Sequence, residues 1–231
     1  MLPGTRLERS RRTPGGDTIN ARNPKAASWQ YAESFVPASD AVDRATGRAR
    51  ELGIGCVGPG AGAVLRAMCA AAGARSVVEV GTGVGVSGLW MLGGMPSDGV
   101  LTTIDVEAEH LRAARAAFAE VGVRGGRIRG ITGRATDVLP RLTEGGYDLV
   151  LLDADPLGTA AYLDRAVRLL RRGGVLAVAG AMAGDRVADP AQRDAVTTAV
   201  REVSRELRDH EDLLPALLPS SGGLLLAVRR R

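Results

Sequence analysis

Residues 76–92 read SVVEVGTGVGVSGLWML, and this stretch decides the fold of the chain. A short run rich in valine, 76–80, is followed by three glycines at alternate positions and then by an apolar run, 86–92. Glycine permits the tight turn that joins a strand to a helix, and it lets a ligand approach the backbone closely. The stretch therefore predicts a strand, a glycine-rich turn and a helix, as in the first unit of a nucleotide-binding α/β sheet.

The alternation of short apolar runs with helical patterns continues to the end of the chain. Strands are predicted over residues 76–80, 100–106, 129–132, 147–152, 175–179, 213–218 and 224–229. Helices are predicted over residues 40–52 behind an N-cap at Ser39, and over 60–72, 86–92, 107–121, 136–142, 160–171 and 190–207. Uninterrupted apolar strands such as residues 149–152 are typical of a sheet buried on both faces. The order predicts a doubly wound α/β fold with a mostly parallel sheet and an antiparallel ending.

Length and composition narrow the class of protein. The chain has 231 residues, 45% of them hydrophobic, and we expect residues 26–231 to form one domain. No run of about 18 apolar residues predicts a membrane span, and no apolar segment follows the basic N-terminus, so we expect a cytoplasmic protein without a membrane partner. The chain has one lysine, two histidines and two cysteines. No glycine-lysine-serine/threonine sequence is present, which excludes a phosphate-binding loop of the Walker type, and no cluster of histidines and cysteines is present, which excludes a zinc site of ordinary composition.

The positive charge is concentrated at the N-terminus. Residues 1–25 contain six basic and two acidic side chains, which accounts for the whole net charge of +4. We expect this segment to be a disordered basic tail, and because only 3% of residues are aromatic we expect no nucleic-acid partner. Beyond it, Trp29, Tyr31 and Phe35 are predicted to form a hydrophobic clasp onto the domain, with a lid over the substrate as the alternative.

Four acidic residues lie near the carboxyl ends of predicted strands, where open α/β sheets bind ligands: Glu79, Asp105, Asp153 and Asp155. The glycines that follow the first strand fit the dinucleotide pattern, but a dinucleotide brings a negative pyrophosphate to this turn. S-adenosylmethionine (SAM) instead brings a sulfonium and an ammonium group. The carboxylates therefore favour SAM, and an NAD-dependent oxidoreductase is the alternative.

The other reactive side chains are expected to take no part in the site. His110 follows two glutamates on a predicted helix and is expected to face solvent, as is Arg134. Cys56 and Cys69 have no neighbouring cation or histidine in the sequence, and they are expected to be small core residues.

Several segments, taken in order, resemble those of a known family. They are the glycine stretch 79–87, Thr103-Ile104-Asp105, Gly133-Arg134-Ala135 and Leu152-Asp153-Ala154-Asp155. Over residues 57–229 the chain is similar to the small O-methyltransferases related to catechol and caffeoyl-CoA O-methyltransferases, in particular to an actinobacterial branch of them. The resemblance implies a Rossmann-like seven-stranded sheet with an antiparallel last strand, SAM as cofactor, and O-methylation of a small-molecule acceptor.

The resemblance also implies which residues bind the cofactor. Asp105 would accept both ribose hydroxyls, Ser87 would donate to the carboxylate of the cofactor, and Asp155 would lie near its amino-acid end. The implied cofactor contacts are Val57, Glu79, Gly81, Thr82, Ser87, Asp105, Ala135 and Asp155. Members of the family often form dimers, so the resemblance implies a possible homodimer.

The divalent-metal site of these relatives is incomplete in this chain. Asp153 matches their first metal ligand, but Ala179 and Gly180 stand where an Asp-Asn pair follows the fifth strand. A hard cation needs several oxygen ligands, so we expect no dedicated metal site. The lysine base of the catechol-type relatives is Pro156 here. We expect Asp153 to be the catalytic and substrate-binding residue that orients or deprotonates the acceptor; the alternative is a SAM-binding protein that has lost efficient catalysis.

Overall fold

The computed structural model describes residues 24–231. The predicted basic tail, residues 1–25, therefore lies outside the described residues except for Pro24 and Lys25, which begin the first helix. Within residues 24–231, no helix has the length and apolar character needed to cross a membrane.

Seven strands form one sheet in the order β3-β2-β1-β4-β5-β7-β6. The strands are β1 Ser76–Val80, β2 Val100–Asp105, β3 Ile128–Thr132, β4 Tyr147–Leu152, β5 Leu170–Ala179, β6 Leu213–Leu218 and β7 Leu224–Arg229. Strands β1 to β5 pair in parallel, and β7 lies antiparallel between β5 and β6. Val80 pairs with Ile104 on β2 and with Leu152 on β4, so the carboxyl ends of three central strands meet at one edge. The predicted Rossmann-like sheet with its antiparallel last strand is confirmed.

Helices cover both faces of the sheet. They are α1 Pro24–Glu33, α2 Asp40–Glu51, α3 Pro59–Ala71, α4 Val86–Leu92, α5 Ala108–Glu120, α6 Ala135–Val138, α7 Leu163–Leu169 and α8 Ala195–Asp209. The neighbouring residues Val77 and Val78 belong to different cores, one shared with helices α2 to α5 and the other with α6 to α8. Because both faces of the central strands are buried, these strands show no alternation of polar and apolar residues.

The segment between β4 and β5 differs from its prediction. In place of one helix over residues 160–171, a 3-10 turn at Thr159–Tyr162 leads into α7, and β5 already begins at Leu170. Leu170 pairs with Tyr147 at the start of β4, so the sheet takes residues whose local pattern is helical. Tertiary pairing has overridden helix propensity here.

The starts of two helices test the boundaries predicted from sequence. The predicted start of the last helix, residue 190, is wrong. Helix α8 begins at Ala195 and not at residue 190, because the Asp194 carboxylate accepts the backbone N–H of Thr197 at 3.0 Å and caps the helix. The predicted N-cap at Ser39 is confirmed for α2.

The predicted aromatic clasp is wrong. Trp29, Tyr31 and Phe35 are 40%, 68% and 67% exposed, and the only ring contact among them joins Tyr31 to Phe35, with ring centroids 5.9 Å apart. Helix α1 buries none of its residues. The aromatic side chains thus do not attach this helix to the domain.

A carboxylate attaches α1 instead. Glu33, at the end of the helix, accepts the backbone N–H groups of Gly60 at 3.2 Å and Ser221 at 3.1 Å, and the hydroxyl of Ser220 at 2.6 Å. These bonds lower the pKa of Glu33 against the opposing effect of burial, which favours the neutral acid. The charged glutamate joins α1 to the start of α3 and to the turn between β6 and β7.

Candidate active site

A cavity of about 480 Å³ opens at the carboxyl ends of β1, β2 and β4. Its wall is formed by the glycine loop after β1, by the ends of β2 and β4, and by the segments that precede α3 and α6. Among the residues proposed from sequence, those on the wall are Gly81, Thr82, Ser87, Asp105, Ala135, Asp153 and Asp155. The sheet thus brings together residues that are up to 74 positions apart in the chain, from Gly81 to Asp155.

Gly81 allows the glycine loop to lie directly against the end of β4. Its φ is +95°, a conformation that residues with a Cβ rarely adopt. A Cβ at this position would overlap the backbone carbonyl of Asp153. Glycine is therefore required here both by the backbone conformation and by the space available.

The substitution Gly81→Ala is expected to lower the free energy of unfolding by about 3 kcal/mol or more, because the Asp153 backbone must move to admit the methyl group. Gly122→Ala is the matched control, since Gly122 also has a positive φ, +73°, but has no atom within 4 Å of an added Cβ. The control is expected to cost about 1 kcal/mol. Urea unfolding measures both, and equal losses would contradict the close approach of loop and strand.

The carboxylate of Asp105 is held by three donors. Its Oδ2 accepts the backbone N–H of Gly83 at 3.0 Å, and its Oδ1 accepts the backbone N–H of Glu107 at 2.9 Å. Nδ1 of His110 lies 3.1 Å from the same Oδ1. Two carboxylate oxygens offer about four acceptor sites, so a fixed Asp105 can still accept a hydrogen bond from a ligand in the cavity.

His110 and Cys56 line the cavity, contrary to the expectations from sequence. The feature that could have placed His110 at the cavity is its position in the first turn of α5, because helical side chains point back toward the N-terminus of the helix and hence toward the end of the preceding strand. Cys56 is exposed at the cavity wall, and its partial desolvation there, together with the nearby Asp153, raises the pKa of its thiol. Cys69 is buried as expected, and Arg134, although exposed, also lines the cavity.

Glu79 lies behind the cavity wall and is completely buried. Its carboxylate accepts the hydroxyl of Ser87 at 2.5 Å and that of Thr103 at 2.6 Å. Burial, which these two hydrogen bonds offset only in part, raises the pKa of Glu79 to about 7. In this arrangement the Ser87 hydroxyl donates to Glu79, so its implied bond to a cofactor carboxylate would require the hydroxyl to rotate.

The substitution Glu79→Gln is expected to stabilise the protein at high pH. Folding raises the pKa of Glu79 from 4.5 to about 7, so its contribution to stability is present at low pH and is lost as the pH rises through that range. We expect the Tm of the variant to exceed that of the wild type by about 8 °C at pH 8 and by only about 2 °C at pH 5. The exposed Glu206→Gln is the control. A variant that melts below the wild type at pH 8 would contradict the conclusion that burial of the charged Glu79 carboxylate destabilises the protein.

Asp153 is the acid whose environment suits proton transfer. Its backbone N–H donates to the carbonyl of Val80 at 2.8 Å, which fixes it beside the glycine loop. Burial raises the pKa of its carboxyl to about 6. Asp153 thus faces the cavity as a carboxylate at neutral pH that is more basic than an ordinary aspartate.

The remaining cofactor residues proposed from sequence differ in their placement. Asp155 is exposed on the cavity wall, and its Oδ1 accepts the backbone N–H of Leu157 at 3.1 Å. Ala135 begins α6 and also lines the cavity. Val57 is a core residue, 6% exposed, and its neighbours Gly55 and Cys56 line the cavity in its place.

The residues at the implied metal position do not fit a divalent metal. Strand β5 ends at Ala179, and Gly180 follows it with a φ of +69°; neither has a side-chain oxygen. A small second cavity beside Ala179 has mainly apolar walls, including Val178 and Val200. Within residues 24–231, no group of three His, Cys, Asp or Glu side chains is placed to hold a metal ion. Asp153 alone supplies too few ligands for a hard cation.

Sequence comparison identifies the family. The O-methyltransferase family model matches residues 40–230. The chain belongs to the O-methyltransferase family. A protein of Mycobacterium ulcerans that is named as an O-methyltransferase is 51% identical to this one over 199 residues, which are 86% of this chain and 89% of the relative.

Solved structures of other proteins resemble this O-methyltransferase over most of its length. A protein from Corynebacterium glutamicum is 32% identical, with a TM-score of 0.83, and the match covers 90% of this chain and 98% of the other. The O-methyltransferase TomG from Streptomyces achromogenes, which is involved in tomaymycin synthesis and was solved in complex with SAM, is 27% identical. Its TM-score is 0.77, and the match covers 90% of this chain and 99% of TomG.

Proposed function

We propose that this protein transfers the methyl group of SAM to an oxygen atom of a small-molecule acceptor. The observation that carries the proposal is the Asp105 carboxylate, which the backbone of the glycine loop holds at the wall of the cavity. Among the described residues of the wall, Asp105, Asp153 and Asp155 outnumber the cationic Arg134 and the imidazole of His110. This balance favours a ligand with positive charge over a pyrophosphate. Membership of the O-methyltransferase family and the SAM complex of TomG support the choice.

The residues of the wall fit the parts of SAM. Asp105 would accept a ribose hydroxyl at the acceptor site that its three donors leave free, and contact with the ribose is the ordinary role of an acid about 20 residues beyond the glycine turn. Gly81 and Thr82 would bring backbone atoms close to the cofactor, and Ala135 would offer a main-chain contact. Asp155 would lie near the ammonium end. Roles for Val57, Glu79 and Ser87 stay predictions, because the first two do not line the cavity and the third donates to Glu79.

The chain's own contribution to the reaction is to position the acceptor and to remove its proton. When bound, SAM supplies an electrophilic methyl carbon. A rigid cavity accelerates such a transfer by holding the acceptor in line with that carbon. Asp153 would accept the proton of the acceptor hydroxyl at a carboxylate oxygen, a role that suits its pKa of about 6.

A screen of acceptors tests the proposed function. The purified protein is incubated with SAM and a panel of phenols, hydroxylated aromatic acids and aliphatic alcohols, and release of S-adenosylhomocysteine (SAH) is measured. We expect release with at least one acceptor, and a product that mass spectrometry shows to be methylated on oxygen. Tight binding of SAM without release for any acceptor would instead favour the SAM-binding protein.

Turnover of the acceptor found in this screen is expected to be independent of divalent metal. Addition of EDTA or of magnesium should change kcat by less than about twofold, because Ala179 and Gly180 provide no side-chain ligand. The measurement is the rate of SAH release in buffers treated to remove metals. A loss of activity on chelation that magnesium restores would contradict the expectation.

We also propose that residues 26–231 act as one domain and that the protein forms a homodimer. Support for the dimer comes from apolar side chains left uncovered in the described chain, among them Tyr31 and Phe35 on α1, and Leu214 and Leu217 on β6, which lies at the edge of the sheet. Light scattering coupled to gel filtration tests this assembly, and a monomeric mass would overturn it.

A further inference from the structure

His110 links the first turn of α5 to the end of β2. It is the third residue of α5, which runs from Ala108 to Glu120. His110 directs Nδ1 toward Asp105 across 3.1 Å, and its side chain remains 27% exposed at the wall of the cavity.

The bond to Asp105 defines the role of the ring nitrogen. A carboxylate only accepts hydrogen bonds, so Nδ1 carries the hydrogen and donates it to Oδ1. The same oxygen accepts the N–H of Glu107 at 2.9 Å, and Oδ2 accepts the N–H of Gly83 at 3.0 Å. His110 is thus the only side chain among residues 24–231 that donates to Asp105 in this structure; the other two donors belong to the backbone.

We propose that His110 is a positioning residue of the cofactor site that sets the affinity for the ribose through Asp105. This inference rests on the proposed function, because it takes Asp105 as the acceptor of the ribose hydroxyls. Two backbone donors hold the carboxylate from the side of the protein, and the imidazole restrains its remaining freedom to turn about the Cβ–Cγ bond. A carboxylate fixed in advance can accept a ribose hydroxyl at its remaining acceptor site without a further loss of freedom on binding.

The proposal is tested by calorimetric titration of His110 variants with SAH. His110→Asn places an amide nitrogen close to the position of Nδ1, whereas His110→Gln places it close to the position of Nε2. We expect His110→Ala and His110→Gln to bind SAH about tenfold more weakly than the wild type, and His110→Asn to bind within about threefold of it. His210→Ala is the matched control, because His210 lies just before β6 and contacts the backbone of Asp212.

A ligand lacking both ribose hydroxyls separates positioning from a general structural effect. For this SAH analogue we expect the wild type and His110→Ala to bind with the same affinity, since the hydroxyls on which His110 acts are absent. A tenfold penalty that persists with the analogue, or a failure of His110→Asn to restore binding in a folded variant, would overturn the proposal. If the wild type itself does not bind SAH, the proposed function fails; if the wild type and His110→Ala bind SAH equally well, only the role of His110 fails.

Discussion

Asp153→Asn is expected to lower kcat by about 100-fold or more, while the Kd for SAM changes by less than about tenfold. Burial raises the pKa of Asp153 to about 6, which makes this carboxylate a better proton acceptor than an ordinary aspartate. The amide has nearly the same shape but cannot take a proton from the acceptor hydroxyl. Steady-state kinetics with the acceptor from the screen, together with calorimetry, separates the two effects.

The pH profile gives an independent check on this role. A base works only when ionised, so kcat of the wild type is expected to rise as the pH increases through about 6 and to level off above it. Asp164→Asn is the control, because this aspartate is exposed on α7 and pairs with Arg168. A profile of Asp153→Asn with the same rate and the same acid limb as the wild type would contradict a role in proton transfer.

Asp105→Ala is expected to weaken the binding of SAM and SAH by about 100-fold or more. The substitution removes the proposed acceptor of the ribose hydroxyls and leaves the N–H groups of Gly83 and Glu107 without their partner. The glycine loop then loses one of its bonds to the end of β2, while the bond from the Gly81 N–H to the Ile104 carbonyl at 2.9 Å remains. Calorimetric titration measures the loss, and thermal melting establishes that the variant is folded.

Two further variants make this result specific. Asp105→Asn retains the shape of the side chain and one acceptor oxygen, and is expected to lie between the wild type and the alanine variant in affinity. Asp98→Ala removes an exposed acid whose partner is Arg75, and should leave binding unchanged. Undiminished affinity in Asp105→Ala would mean that the cofactor, or its orientation, differs from the one proposed.

The fold could be predicted from sequence because its signals are local and redundant. Val77 and Val78 are both apolar since the sheet is covered on both sides, and the glycines after β1 mark the turn into α4. The start of β5 could not be predicted in this way. Leu170 is drawn into a strand by its partner Tyr147, which lies 23 residues earlier in the chain.

The candidate site was predicted less completely than the fold. Asp105, which ends β2, and Asp153, which follows β4, were identified because the position of a strand end fixes their place. His110 was missed because its role depends on the direction of a side chain in the first turn of α5. Glu79 was assigned to the cofactor, but the structure turns its carboxylate toward Ser87 and Thr103 behind the wall. Sequence position alone does not show whether a side chain near the end of a buried strand points into the cavity or behind its wall.

The proposed cofactor is tested most directly by calorimetric titration of the wild-type protein with SAM, SAH and NAD under identical conditions. We expect micromolar binding of SAM and SAH, with no measurable binding of NAD, because the acidic wall of the cavity can pair with the ammonium group that SAM and SAH share and disfavours a pyrophosphate. Binding of NAD without binding of SAM or SAH would contradict both the charge argument and the proposed methyl transfer.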